Sequence, residues 1–245
     1  TDFTDVMTEV MRVLEEKYSY PVDIEYACNF DQDGNYRVNL LQCRPLQTRG
    51  VGAAGVMPNV KEFYFRTSGN FMGGNVCLPI RYAVMVQVEP YLDLPEQRKY
   101  QVARKLGELN NRLRGEGTIL LGPGRWGTTT PSLGVPVHFM EINSFDCIAE
   151  LAYSSHGLRP ELSYGSHFFQ DLVEAGSFYV ALYPGEDGCV FHDTLFADCE
   201  NVYAQLMPSD AEGVMADVIR VYDLGKDQAI LYSEVGSQTC FLAKV

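Results

Sequence analysis

The sequence predicts a mixed α+β fold, α/β in part, and three observations lead to that prediction. A long amphipathic helix is expected from Asp93 to Leu113, because Val102, Leu106, Leu109 and Leu113 fall on one stripe. Short apolar strands between glycine and proline turns fill much of the remaining chain. Neither an internal repeat nor a low-complexity tract interrupts the pattern. Helices and strands mixed in this way are typical of α+β or α/β proteins.

The first 48 residues predict a helix and two strands. Apolar residues recur at helical spacing at Val6, Val10, Val13 and Leu14. Tyr20-Pro21 ends this helix. Strands follow over 22–28 and 36–42, joined by a turn over 31–35. Residues 46–59 are rich in glycine and indicate a linker, so we place a domain boundary near Arg49.

Residues 50–245 predict a second, β-rich α+β module. Strands are expected over 62–66, 80–88, 118–121, 135–142, 147–153 and 177–183, and a helix over 166–175. From residue 190 onward the chain is expected to be mostly strands, among them 218–224, 229–233 and 240–244.

Composition limits the classes of partner. The 19 Lys and Arg against 32 Asp and Glu give a net charge of −13, which argues against nucleic acids and anionic membranes. Seven scattered cysteines without a C-x-x-C pair indicate a reduced, cytoplasmic protein. No apolar run approaches the length of a membrane span, and no signal peptide is visible. The chain begins at Thr1 rather than Met, so we expect a piece of a longer protein.

The segment from Gly122 to Gly127 is the first candidate site. Gly122, Gly124 and Gly127 match a dinucleotide-binding spacing after a strand, but Pro131 and Pro136 make the required helix improbable. No Lys follows, so a Walker loop is also excluded. Two interpretations remain open: a structural turn, or an anion site formed by the Arg125 guanidinium and backbone N–H groups.

A second constellation lies on the first two strands. Asp23 and Glu25 share one strand face, and Gln42 and Arg44 share a face of the returning strand. If these strands pair, two carboxylates, an amide and a guanidinium converge. That set suits Mg²⁺ beside a polyphosphate, although a surface ladder of ion pairs would have the same pattern.

The segments Tyr20 to Ala27 (YPVDIEYA) and Leu41 to Pro45 (LQCRP) resemble the end of the ATP-grasp domain of pyruvate phosphate dikinase and phosphoenolpyruvate synthase. The resemblance covers about the first 48 residues, with Tyr26 where that family usually has Trp. It implies that Glu25 and Gln42 bind the metal and nucleotide, that Asp23 supports nucleotide binding, and that Arg44 contacts the transferred phosphate. The family's glycine loop and nucleotide-binding Lys lie well upstream of this motif, so the chain alone is expected to be inactive.

Three further segments, LGPGRWG, LGVPV and GSHFF, look like a less-characterised group that carries the phosphoenolpyruvate synthase label. In addition, Ser166-His167, Glu174 and Gly176 keep the offsets of a segment of the family's swivelling phosphohistidine domain. That resemblance implies a swivelling-domain-like core in which His167, at a helix N-terminus, accepts a phosphoryl group. The alternative is that His167 only caps or packs the helix start.

The resemblance therefore implies a fragment of an ATP-dependent phosphotransferase of the pyruvate,water dikinase type. Its expected cofactors are ATP and Mg²⁺. Its expected partners are a small phosphorylated or carboxylate ligand and an upstream ATP-grasp half. One alternative is a non-catalytic regulatory module that binds a small anion or nucleotide at Gly122, Gly124, Arg125 and Gly127. Another is a purely structural or oligomerising β-rich domain.

Overall fold

A computed structural model describes residues 3–18, 22–31, 34–45, 56–153, 162–163, 168, 175–210 and 213–245. The chain divides into two compact units, Thr1–Thr48 and Arg49–Val245. Each unit is described by itself.

The first unit contains one helix and one hairpin. Helix α1 spans Phe3–Tyr18, and strands β1 (Val22–Phe30) and β2 (Tyr36–Pro45) pair antiparallel. Asp31 holds the connecting turn, because its carboxylate accepts a hydrogen bond of 2.9 Å from the backbone N–H of Asn35. Gly34 adopts a φ of 82°, which a glycine takes without strain.

The second unit contains the remaining described strands and helices. Its strands are β3 (Glu62–Ser68), β4 (Phe71–Met72), β5 (Val76–Pro79), β6 (Tyr82–Val86), β7 (Thr118–Pro123), β8 (Arg125–Trp126), β9 (Gly134–Val135), β10 (Cys147–Leu151), β11 (Phe178–Leu182), β12 (Val190–Phe191), β13 (Glu200–Asn201), β14 (Ile219–Asp223), β15 (Ile230–Glu234) and β16 (Thr239–Lys244). Its helices are α2 (Val88–Leu92), α3 (Glu96–Arg112), α4 (Asp193–Ala197), α5 (Tyr203–Leu206) and α6 (Val214–Val218). Short 3₁₀ turns span Phe139–Glu141, Pro208–Asp210 and Gly225–Asp227.

Two larger sheets organise this unit. Seven strands form the first sheet in the order β13-β14-β6-β7-β10-β11-β4, with β6, β7, β10 and β11 parallel at its centre. Five antiparallel strands form the second sheet in the order β12-β3-β16-β15-β5. Because the central strands are parallel, their carboxyl ends meet at one edge of the first sheet, where ligand sites of α/β sheets usually lie.

Helix α3, the first sheet and the second sheet form three layers, because side chains of the central strands alternate between the two faces of the first sheet. On one face Val84 and Leu120 pack with Leu106 of α3. On the other face Met85 and Leu121 pack with side chains of the second sheet. Strands buried on both faces are continuously apolar, as β6 and β7 are.

The predicted mixed α+β class is confirmed. The amphipathic helix from Asp93 is also present, and begins at Glu96. The strand predicted over 135–142 is wrong: β9 ends at Val135, Pro136 follows, and a 3₁₀ turn begins at Phe139. The end of the predicted strand 80–88 and parts of the segment after 190 are helical instead. Residues 166–175 lie outside the described residues, except Phe168 and Ala175.

Two observations bear on the environment of the chain. Among the described helices, none is both long enough and apolar enough to cross a bilayer. All seven cysteines lie among the described residues, and none forms a disulfide.

Candidate functional site

The β1–β2 hairpin brings the four predicted site positions of the first unit together. In its register Asp23 lies opposite Arg44, and Glu25 lies opposite Gln42. An irregularity of the register follows directly, between Glu25 and Tyr26. Glu25 and Gln42 are exposed, whereas the side chains of Asp23 and Arg44 lie outside what the structure describes. The strand pairing that the constellation required is therefore present in the backbone.

The hairpin also contains residues of the type that ligate metal ions. The described residues contain no group of three or more His, Cys, Asp or Glu side chains arranged for a metal ion. Glu25 and Gln42 offer oxygen ligands from opposite strand positions. Mg²⁺ is commonly bound by one or two carboxylates together with waters and substrate phosphates. Glu25 and Gln42 thus offer the kind of oxygen ligands that Mg²⁺ takes.

The glycine turn lies at the carboxyl end of β7, and its glycines are required by close packing. Gly124 has a φ of 62°, and a Cβ there would lie 2.3 Å from the carbonyl oxygen of Leu133. A Cβ on Gly122 would lie 2.5 Å from the ring of Trp126. A Cβ on Gly127 would meet the ring of Phe168 at 2.3 Å. Residues 128–133 form turns before β9, so the helix that a dinucleotide site needs is absent from this described segment.

The backbone N–H groups of the turn already have partners inside the protein. Four consecutive residues donate to protein oxygens: Gly124 to Leu151 at 2.9 Å, Arg125 to Leu133 at 3.0 Å, Trp126 to Glu150 at 2.9 Å and Gly127 to Val135 at 3.0 Å. An anion nest needs N–H groups that point at the ligand. These four N–H groups are therefore not directed at a ligand, and the side chain of Arg125 is half-buried.

A buried carboxylate beneath this turn is the residue that the sequence analysis missed. Glu150 on β10 has no exposed surface. Its Oε1 accepts hydrogen bonds from the Trp126 N–H and the Ser163 hydroxyl, and its Oε2 accepts from the Ser163 N–H at 2.6 Å and the Tyr179 hydroxyl at 2.8 Å. Burial raises the pKa of Glu150, although these hydrogen bonds oppose the rise. The signal in the sequence is one acidic residue inside an otherwise apolar strand.

The network of Glu150 is arranged for structure rather than for catalysis. All four donors come from the protein and saturate both carboxylate oxygens. The carboxylate therefore ties the glycine turn to β11 through Trp126 and Tyr179. Trp126, the only tryptophan, is 1% exposed and donates from its indole N–H to the carbonyl of Ala149.

A cavity of about 450 Å³ opens at the same edge of the sheet. It lies beyond the ends of β6 and β10, and the described residues around it include Gln87, Glu89, Leu151, Tyr153 and Asp193. No sequence pattern singled out these residues, because they come from three separate segments of the chain.

The predicted acceptor His167 lies outside the described residues. Of the GSHFF segment the structure describes Phe168, which is half-buried and packs on Gly127. Comparisons of the chain with protein-family models, with curated proteins and with solved structures found no match.

Proposed function

We propose that the chain is the C-terminal part of a phosphoenolpyruvate synthase-like, ATP-dependent phosphotransferase, and that its first hairpin contacts the Mg²⁺-nucleotide. The observation that supports the proposal is the register of β1 and β2. It pairs the two acidic positions of the resembling motif with the Gln and Arg positions of the second motif.

In this proposal each residue acts by charge and position. Glu25 and Gln42 ligate the Mg²⁺ of the bound nucleotide, Asp23 supports the nucleotide, and Arg44 neutralises the phosphate. Phosphoryl transfer depends chiefly on positioning and electrostatic stabilisation. An upstream ATP-grasp half supplies the glycine loop and the Lys, and His167 is the proposed acceptor.

The test is a titration of the isotope-labelled chain with Mg²⁺-ATP, followed by the chemical shifts of its backbone amides. We expect shifts concentrated in the hairpin, with a Kd on the order of 1 mM, since most of the nucleotide site lies upstream. The Glu25→Gln and Gln42→Leu variants should lose them. Glu15→Gln on α1, an exposed carboxylate outside the motif, should retain them. Shifts elsewhere, or none in the hairpin, would contradict the proposal.

The alternative is a non-catalytic module that binds a small anion beside Arg125. It is supported by the position of Arg125 at the carboxyl edge of the parallel strands. The partnered N–H groups of the turn do not support it. In the same experiment pyrophosphate without Mg²⁺ would shift the amides around Arg125, and Arg125→Gln would abolish that response.

A further inference from the structure

The cavity at the carboxyl edge of the first sheet has the size and place of a small-molecule site. Its volume of about 450 Å³ falls in the range of ligand pockets, roughly 300–1,000 Å³. Met85 and Val86 at the end of β6, and Leu151 at the end of β10, contribute to its wall. Ligands of open α/β sheets bind beyond the carboxyl ends of the strands. Both the size and the position of the cavity thus match those of a small-molecule site.

The charged residues that line the cavity indicate the sign of the charge on its ligand. Glu89 and Asp193, both exposed, line it, and its described lining residues include no Lys, Arg or His. Tyr153 also lines it and donates its hydroxyl proton to the carbonyl of Ser132 at 3.0 Å, which leaves its oxygen as an acceptor. A phosphate or carboxylate would meet two negative charges here. An ammonium group would be attracted by the same charges.

Gln87 adds a hydrogen-bonding group that the protein does not satisfy. Its Nε2 is buried and has no hydrogen-bond partner among the described residues. Gln87 lines the cavity. A hydrogen-bond acceptor on a ligand would pair this donor.

The remaining wall is apolar. Leu92, Leu151 and Phe191 face the cavity together with Pro90 and Val88. We propose that this cavity binds a small organic amine: an ammonium group between Glu89 and Asp193, an apolar body against Leu92 and Phe191, and a hydrogen-bond acceptor for Gln87. The site belongs to the second unit alone and does not depend on the proposed nucleotide contacts of the hairpin.

The test compares two probes of nearly the same skeleton and opposite charge. Tyramine carries an ammonium group, an aromatic body and a phenolic acceptor, whereas 3-(4-hydroxyphenyl)propionate replaces the ammonium with a carboxylate. Calorimetric titration of the full chain should show tyramine binding with a Kd on the order of 1 mM or below, and binding of the propionate at least about tenfold weaker. Equal binding of both probes, or no binding of tyramine, would overturn the proposal.

Variants assign the binding to the named residues. Glu89→Gln and Asp193→Asn should each weaken tyramine binding about three- to tenfold, as expected for the loss of one partly exposed charge. Asp187→Asn, an exposed carboxylate outside the lining, should leave it unchanged. Unchanged affinity in both cavity variants would overturn the assignment.

Gln87→Met distinguishes a ligand contact from a structural role. It replaces the amide with an apolar group of similar shape, and therefore removes the unpaired donor. The proposal expects tyramine binding to weaken about tenfold while the melting temperature of the unliganded chain stays equal or rises. A lower melting temperature with unchanged affinity would show that Gln87 acts only in the fold.

Discussion

Replacement of Gly124 by Ala tests whether the glycine turn is held by packing. Gly124 has a φ of 62°, and the added Cβ would lie 2.3 Å from the carbonyl oxygen of Leu133, a separation that real Cβ atoms do not show. The strained φ costs about 1–2 kcal/mol. Moving the turn to relieve the contact weakens the hydrogen bonds of Gly124 to Leu151 and of Arg125 to Leu133, at about 1 kcal/mol each. The free energy of unfolding should therefore fall by about 3–4 kcal/mol.

Gly115→Ala is the matched control. Gly115 has a φ of 78°, but nothing lies within 4 Å of a Cβ added there. The free energy of unfolding of this variant should fall only by the cost of the strained φ, about 1–2 kcal/mol. The difference between the two variants isolates the contact with Leu133.

Urea denaturation measures both losses. Fluorescence of Trp126 reports the turn, because this sole tryptophan is buried beside it, and circular dichroism reports the whole chain. Coincident transitions would support two-state unfolding. If Gly124→Ala proves no more destabilising than Gly115→Ala, the packing argument for the turn is wrong.

Three further predictions concern the second unit. Burial raises the pKa of Glu150. The contribution of Glu150 to the free energy of unfolding is therefore fully present below its ordinary pKa of 4.5 and is lost as pH rises through the folded-state pKa. Urea titrations should show the stability advantage of Glu150 over the Glu150→Gln variant shrinking with rising pH. Leu106→Ala should lower the free energy of unfolding by about 2–5 kcal/mol and Tyr100→Ala, exposed on the same helix, by much less; equal losses in urea would contradict the packing of α3. Burial also raises the pKa of Cys240, so mass spectrometry after native alkylation should find the exposed Cys77 modified first, and early modification of Cys240 would refute its burial.

Helix α3 and strands such as β7 were predictable because their signals are local. Val102, Leu106 and Leu109 repeat at the helical period, and each is buried in the core. Strand β7 is a short apolar run between turn residues. Helices α4, α5 and α6 have four or five residues each, too few for a period to appear, and they were missed.

The residues that lie together in a candidate site were predictable only where one sequence motif contained all of them. The pairing of Glu25 with Gln42 follows from a single hairpin with a short turn. The partners of Glu150 are set instead by the parallel order of β7, β10 and β11, which no spacing along the chain reveals. For the same reason the sequence did not associate Gln87 with Asp193, although both line one cavity.

The order of strands has a consequence for how the second unit folds. Strand β6 pairs on one side with β7, the next long strand in the chain, which begins at Thr118, but on the other side with β14, which begins at Ile219. The last strand, β16, lies at the centre of the second sheet between β3 and β15. During synthesis one edge of β6 therefore stays unpaired until more than half of the unit has emerged. Folding should be slow, and the waiting chain should be prone to aggregate, because long-range strand pairing has a high entropic cost.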